Sequence, residues 1–180
     1  MKKLILILFL AIGITTQSQI EFGIYQDIKL ASMEDDYGNS PYTVDLLTSM
    51  RWFNGGSGHE CLNPTFVQLT YEYADLSGGS YNRWAMGLGY SFNNFDEYNW
   101  RILDKVMKRM SITLATDFGS TTRWGGTAFS MAGFLDISFE ILEDLDIVML
   151  GHVVTRPHLK ERWGETKPTY SVYGGLKYKI

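Results

Sequence analysis

Cys61 is the only cysteine in 180 residues, so no intramolecular disulfide can staple this chain. No CxxC or HxxxH spacing is present to build a metal site. After the first fourteen residues, no apolar run approaches the roughly 20 residues that a membrane-spanning helix needs. Charge of one sign is also scarce. The formal net charge is −4, so the basic footprint that nucleic-acid binding requires is missing. With only 4 prolines, long extended segments can pair without interruption.

What is present begins with an export pattern. Lys2 and Lys3 precede an apolar run from Leu4 to Ile14, and Thr15-Thr-Gln-Ser-Gln19 forms a small, polar exit. A basic start, a short greasy stretch and a polar exit are the parts of a secretory signal. Residues 1–19 are therefore read as a cleaved signal peptide and residues 20–180 as one domain. The strict A-x-A cleavage pattern is absent. No cysteine follows the apolar run to carry a lipid anchor.

The rest of the chain alternates with a period of two, the spacing of strands whose faces meet different surroundings. The cleanest case is Tyr81 to Phe92. There Trp84, Met86, Leu88, Tyr90 and Phe92 alternate with Arg83, Ala85, Gly87, Gly89 and Ser91. Further strands are expected over 20–33, 43–53, 65–75, 110–118, 127–140 and 145–155, with a terminal one ending at Ile180. The first is the least regular. The seventh is apolar on both faces near its middle, which predicts a bulge or a locally buried interior. Residues 119–126 and 156–168 read as loops. The segment 93–109 fits either a short helix over 96–104 or the start of the fifth strand.

Alternation alone does not say which face points inward. A soluble lipocalin-like barrel buries its apolar face, and a membrane barrel does the reverse. Residue size favours the membrane. The polar faces carry Ala85, Gly87, Gly89, Ser111, Ala115, Ser130 and Ala132, which suit a narrow interior, while the apolar faces carry Trp, Tyr, Phe, Met and Leu. A mean hydropathy of −0.11 is expected when every second residue faces a polar lumen. Trp52, Tyr73, Trp84, Tyr90, Phe92 and Phe118 fall near the expected strand ends, where interfacial aromatics belong. The expectation is an all-β, eight-stranded, antiparallel, up-and-down transmembrane β-barrel. The soluble barrel stands as the alternative.

The closing Tyr173-Gly-Gly-Leu-Lys-Tyr-Lys-Ile180 resembles the last strand of small outer-membrane barrels of the OmpX and OmpA-transmembrane-domain type, although Ile180 stands where those families have Phe or Trp. The resemblance implies residence in the outer membrane, contact with outer-membrane lipid, and delivery by the barrel-assembly machinery through the C-terminal strand. It implies no catalytic residue and no cofactor.

Charged residues on the polar faces form one candidate constellation: Asp45, Arg51, Glu72, Arg83, Asp117, Asp136, Glu140 and Lys177. Eight strands enclose an interior that side chains can fill, so these charges are expected to pair with one another. For Arg83 the first partner expected is Glu72, on the neighbouring strand. His59-Glu60-Cys61 are consecutive and cannot easily converge on one ion. Ser130, Ser138, His152, Asp136 and Glu140 are raw material for a lipid-modifying hydrolase, but no Gly-x-Ser-x-Gly elbow accompanies them. Connections rich in aromatics and charge hold Tyr37, Trp124 and Trp163, the candidate contacts for an unknown surface ligand. The leading function is a non-catalytic structural or adhesive role through these loops, with no metal or cofactor. A narrow pore and a lipid-modifying enzyme are the alternatives.

Overall fold

The computed structural model describes residues 20–33, 38–53, 65–92, 109–155 and 168–180. The expected signal segment, the helix or strand choice over 96–104, His59-Glu60-Cys61, His158, Tyr37 and Trp163 lie outside the described residues. Eight strands run β1 Ile20–Asp27, β2 Asp45–Phe53, β3 Thr65–Leu76, β4 Gly79–Phe92, β5 Met110–Arg123, β6 Gly126–Leu142, β7 Leu145–Val154 and β8 Thr169–Lys179. Each pairs antiparallel with its neighbour in sequence, and β8 closes on β1. The first and last described residues meet at one end, where Ile180 N–H donates to the Ile20 carbonyl at 2.8 Å. That end is called the terminal end below, and the opposite one the far end. Closure leaves no open sheet edge, which in a membrane would be untenable.

The wall is staggered. Neighbours of Glu21 run through Arg51, Gln68, Gly87, Asp117, Ala132 and Val154 to Thr169, whereas Glu21 itself pairs with Lys179. That offset of ten residues (169 to 179) tilts the strands steeply around a narrow interior.

Burial decides between the two barrels. Trp84 is 58 % exposed and Leu88 66 %, while Arg83 between the outward positions of the same strand is 1 % exposed. The apolar face points out and the charged face in, which removes the soluble barrel. The interior is not uniformly small, however. Tyr25, Phe53, Phe66, Tyr81, Phe134, Leu150 and Tyr173 are also buried in it. Glycines make the room. A Cβ on Gly89 would strike the Phe66 ring, and one on Gly175 the Ile24 carbonyl and Tyr25. Aromatic rings lying over neighbouring glycines are a device that fills a barrel at low side-chain volume.

Two element bounds differ most from the sequence expectation, and the buried interior expected over the seventh strand is met. The first strand stops at Asp27 instead of Met33, because the Asp27 carboxylate accepts the Leu30 N–H at 3.0 Å and caps a five-residue helix, α1, Ile28–Ser32. Leu30 then turns inward onto Ala74, Leu76 and Tyr81. Residues 119–123 belong to β5 and not to a loop, leaving a two-residue turn at Trp124-Gly125, and Phe118 is thus well inside its strand. The apolar middle of β7 is interior: Val148 and Leu150 are 2 % and 1 % exposed, and the only irregularity of its pairing with β6 is between Glu140 and Leu142.

Candidate functional site

The interior carries two polar clusters with aromatic rings packed beside them. In the first, Arg51 on β2 donates to Asp136 on β6 at 2.5 Å and lies 4.0 Å from Glu21 on β1. Lys177 on β8 stands 3.5 Å from Glu21 and 3.8 Å from both Asp136 and Asp146, and donates to Ser138 at 3.2 Å. Each cation serves more than one carboxylate. Because Glu21, Lys177 and Asp146 come from β1, β8 and β7, this cluster crosses the seam where the barrel closes. Lys179 extends it to the rim through Asp146 at 2.9 Å.

Phe53 and Phe66, with ring centroids 5.0 Å apart, lie beside it, and the Arg51 guanidinium sits 5.0 Å over the Phe66 ring. His152 on β7 stacks on Phe134 at 4.7 Å and tilts against Tyr173 at 5.7 Å.

The second cluster centres on Arg83. Its guanidinium pairs with Asp117 on β5, and its Nε donates to Ser130 Oγ on β6 at 2.8 Å. Thr70 Oγ1 donates to the same Asp117 at 2.6 Å. Glu72 stands directly across from Arg83 in the β3–β4 register, and accepts from the Tyr81 and Tyr173 hydroxyls at 3.2 and 3.5 Å. Tyr173 also donates to Asp45 at 3.0 Å. Here hydroxyl groups share the carboxylates with the cation.

Seven of the eight charged positions read from the sequence are therefore interior and lie in these two clusters. Glu140 is the exception. Its side chain is 40 % exposed at the terminal rim, beside the β6–β7 irregularity, with Lys179 at 3.9 Å. Sequence reading missed Glu21, Asp146 and the three interior tyrosines. Their positional parity was the available signal: Glu21 and Tyr25 alternate with Phe22 and Ile24, and Asp146 with Ile147.

The nominal hydrolase residues Ser130, Ser138 and Asp136 are tied into the interior clusters, and Asp136 and Ser138 both face Lys177. Ser130 receives Arg83, Ser138 receives Lys177, and His152 is stacked between rings. Among the described residues no group of three potential metal ligands gathers.

At the far end, three connections are stitched together. Asn39 Oδ1 accepts the Ser77 N–H at 2.7 Å, and the Trp124 indole N–H donates to the Gly78 carbonyl. Trp124 and Gly125 both have positive φ, 52° and 76°, as a two-residue hairpin turn of the primed type requires. Arg123 lies 4.3 Å over the Trp124 ring, which remains 42 % exposed. A second aromatic was overlooked in the sequence. Thr43 N–H donates to Ser40 at 3.3 Å across Pro41 and Tyr42, and Tyr42 sits at φ 69° with 86 % of its surface exposed. Proline followed by a positive-φ residue is the pattern of a type II turn, where glycine is usual.

No protein-family model matches the chain, and no curated protein sequence matches it. Solved structures do. A de novo designed transmembrane β-barrel superposes with a TM-score of 0.53 at 12 % identity, covering 92 % of this chain and 98 % of its own. Neisserial surface protein A gives 0.47 at 8 % identity over 91 % and 96 %. The Yersinia pestis outer membrane protein Ail gives 0.49 at 14 % identity over 91 % and 98 %. At such low identity the likeness to the designed barrel carries the fold alone. With the outward apolar belt and the charged interior, it makes this chain an eight-stranded, antiparallel, up-and-down transmembrane β-barrel.

Proposed function

We propose that this protein is a non-catalytic outer-membrane barrel that works through its far-end connections, in a structural or adhesive role. The observation that carries the reading is the commitment of the interior. Arg51, Arg83, Lys177, Glu72, Tyr25, Tyr81 and Tyr173 are each about 2 % exposed or less, and an ion pair or hydrogen bond ties each of them to another interior side chain. A filled interior supports neither a wide pore nor a substrate site. The far end supports the surface role, because Tyr42 and Trp124 hold aromatic surface in solvent on turns that disfavour bulky side chains. With the first strand entering from the periplasm, that end faces outward.

Outer-membrane fractionation and heat-modifiable migration test the location; recovery in a soluble fraction overturns it. Planar-bilayer conductance and the mass of lipid A on expression test the two rival activities. Large stepwise currents would establish a pore, and gain or loss of an acyl chain an enzyme. For the binding role, replacing Tyr42, Trp124 and Trp163 by Ser should abolish surface attachment while the barrel still folds. Attachment that persists in this variant removes these residues from the contact site. The C-terminal strand is the expected handle for the barrel-assembly machinery, so deleting its last residues should lower assembly and leave export intact.

A further inference from the structure

The lipid-facing belt is padded by large side chains on most of its circumference, but one stretch is not. Across β5, β6 and β7 the outward positions Thr116, Gly133 and Gly151 fall beside one another, with Thr116 opposite Gly133 and Leu135 opposite Gly151. They floor an open depression of about 800 Å³ whose surface is almost wholly apolar. A smaller depression of about 300 Å³ shares Thr116, Gly133 and Val153 and continues it towards Met131 and Thr155.

Barrel packing does not account for these glycines. A Cβ on Gly133 would meet nothing within 4 Å, and one on Gly151 only the Leu135 carbonyl at an ordinary 3.6 Å. Both differ from Gly89 and Gly175, whose small size the interior demands. What Gly133 and Gly151 make is room on the outside.

We infer that this groove seats one alkyl chain of a membrane lipid. The groove is continuous with the lipid-facing belt, where Leu135 is 45 % exposed, Val153 37 % and Tyr170 74 %. Its length suits a single chain. From Met131 to Leu135 it covers about 13 Å at roughly 3.4 Å per residue, near half of an apolar band about 25 Å tall. On β4 and β5 it continues past Leu88 to Leu114 and Tyr90, towards the terminal end, so the groove crosses the middle of the belt. Tyr170, whose ring has an apolar body and a polar tip, stands beside Val153 towards the far end of the groove. A flexible hydrocarbon chain can enter such a slot. The convex wall of a second barrel would meet only its margins.

This inference rests on membrane residence, and its test separates the two. The folded protein is reconstituted in phosphatidylcholine vesicles containing a phosphatidylcholine tracer with a mid-chain diazirine. It is then irradiated and the labelled residues are mapped by mass spectrometry. Labelling at Leu135, Val153 and Tyr170 should exceed that at Leu46 and Val67, on the opposite wall, severalfold. The double variant G133L/G151L should erase this excess and leave Leu46 and Val67 unchanged. Should that variant not fold, G133A/G151A, which the open space accommodates, should reduce the excess in the same direction. Equal labelling of both walls overturns the groove, as does an excess that survives filling. Oxidation of a C61S/G133C variant in the same vesicles to a disulfide-linked dimer overturns it in favour of a barrel pair. No labelling at any belt residue overturns membrane residence itself.

Discussion

The two interior clusters are built from similar residues and organised differently. Around Asp136, charge is distributed: Arg51 and Lys177 both face it, and both also face Glu21. Around Asp117 the ion pair is dedicated, with Arg83 reinforced by the Thr70 and Ser130 hydroxyls. The distributed cluster joins β1, β2, β6, β7 and β8, and so spans the seam. The dedicated pair, with the Thr70 and Ser130 hydroxyls, is held by β3, β4, β5 and β6, consecutive in the chain, and Tyr173 on β8 and Asp45 on β2 join only on the Glu72 side. A closure that depends on strands from opposite ends of the sequence gains from redundancy, since one lost contact leaves the others in place. A local pair has no such reserve. The comparison therefore predicts that the cluster with fewer charges is the more fragile.

The largest effect is expected at Arg83. Arg83→Ala leaves the fully buried Asp117 without the cation that faces it, and should lower stability by about 3–5 kcal/mol. Arg83→Lys should recover only part of this, because a single ammonium does not reproduce the guanidinium fork that reaches Asp117 and Ser130 together. Arg51→Ala should cost less, about 1.5–3 kcal/mol, the worth of a hydrogen bond to a charged group, since Lys177 still faces Asp136. Denaturant unfolding from lipid vesicles measures both as midpoint shifts. Equal losses, or a larger loss at Arg51, would break the contrast between shared and dedicated pairs.

Next in size is the room that the interior glycines provide. Gly89→Ala forces the Phe66 ring to move, and overpacking of this kind typically costs about 1–3 kcal/mol. Gly133→Ala, on the lipid face of the same wall, should change stability little. If the two substitutions cost the same, ring-over-glycine packing is not what sets the barrel's interior.

The strands and the sense of the barrel were legible because outward positions on β4 and β6 are almost uniformly apolar and large. The Arg83, Glu72 and Asp117 positions followed from the same alternation. The partnership did not. Asp117 is four positions along β5 from Thr121, the register partner of Arg83, and the steep stagger that brings them together is a property of closure. The interior aromatics were illegible for another reason. Tyr81, Phe134 and Tyr173 resemble outward residues by type, and only their parity along the strand shows that they point in. Glu140 misled in the opposite way, since parity placed it inside and the β6–β7 irregularity at the rim left it half exposed. The two-residue turn at Trp124-Gly125, inside the loop expected over 119–126, is hard to read from sequence since tryptophan is a poor residue for positive φ. There, tertiary contacts from Gly78 and Arg123 outweigh the local preference.

That turn gives the smallest and most discriminating effect. Trp124 has a backbone conformation that glycine or asparagine would adopt with less strain, yet its indole bonds Gly78 and stacks under Arg123. Trp124→Ala keeps the strain and loses both contacts, so it should lower stability by about 1 kcal/mol. Trp124→Gly loses the same contacts and relieves the strain, which should bring it within about 0.5 kcal/mol of the parent. The two variants thus differ in stability and are alike in lacking the ring. If the exposed face of Trp124 contacts a partner at the cell surface, both should lose attachment equally, whatever their unfolding midpoints. If attachment instead follows the midpoints, weak in Ala and normal in Gly, the tryptophan is a rivet between two hairpins and the contact surface lies elsewhere on the far end.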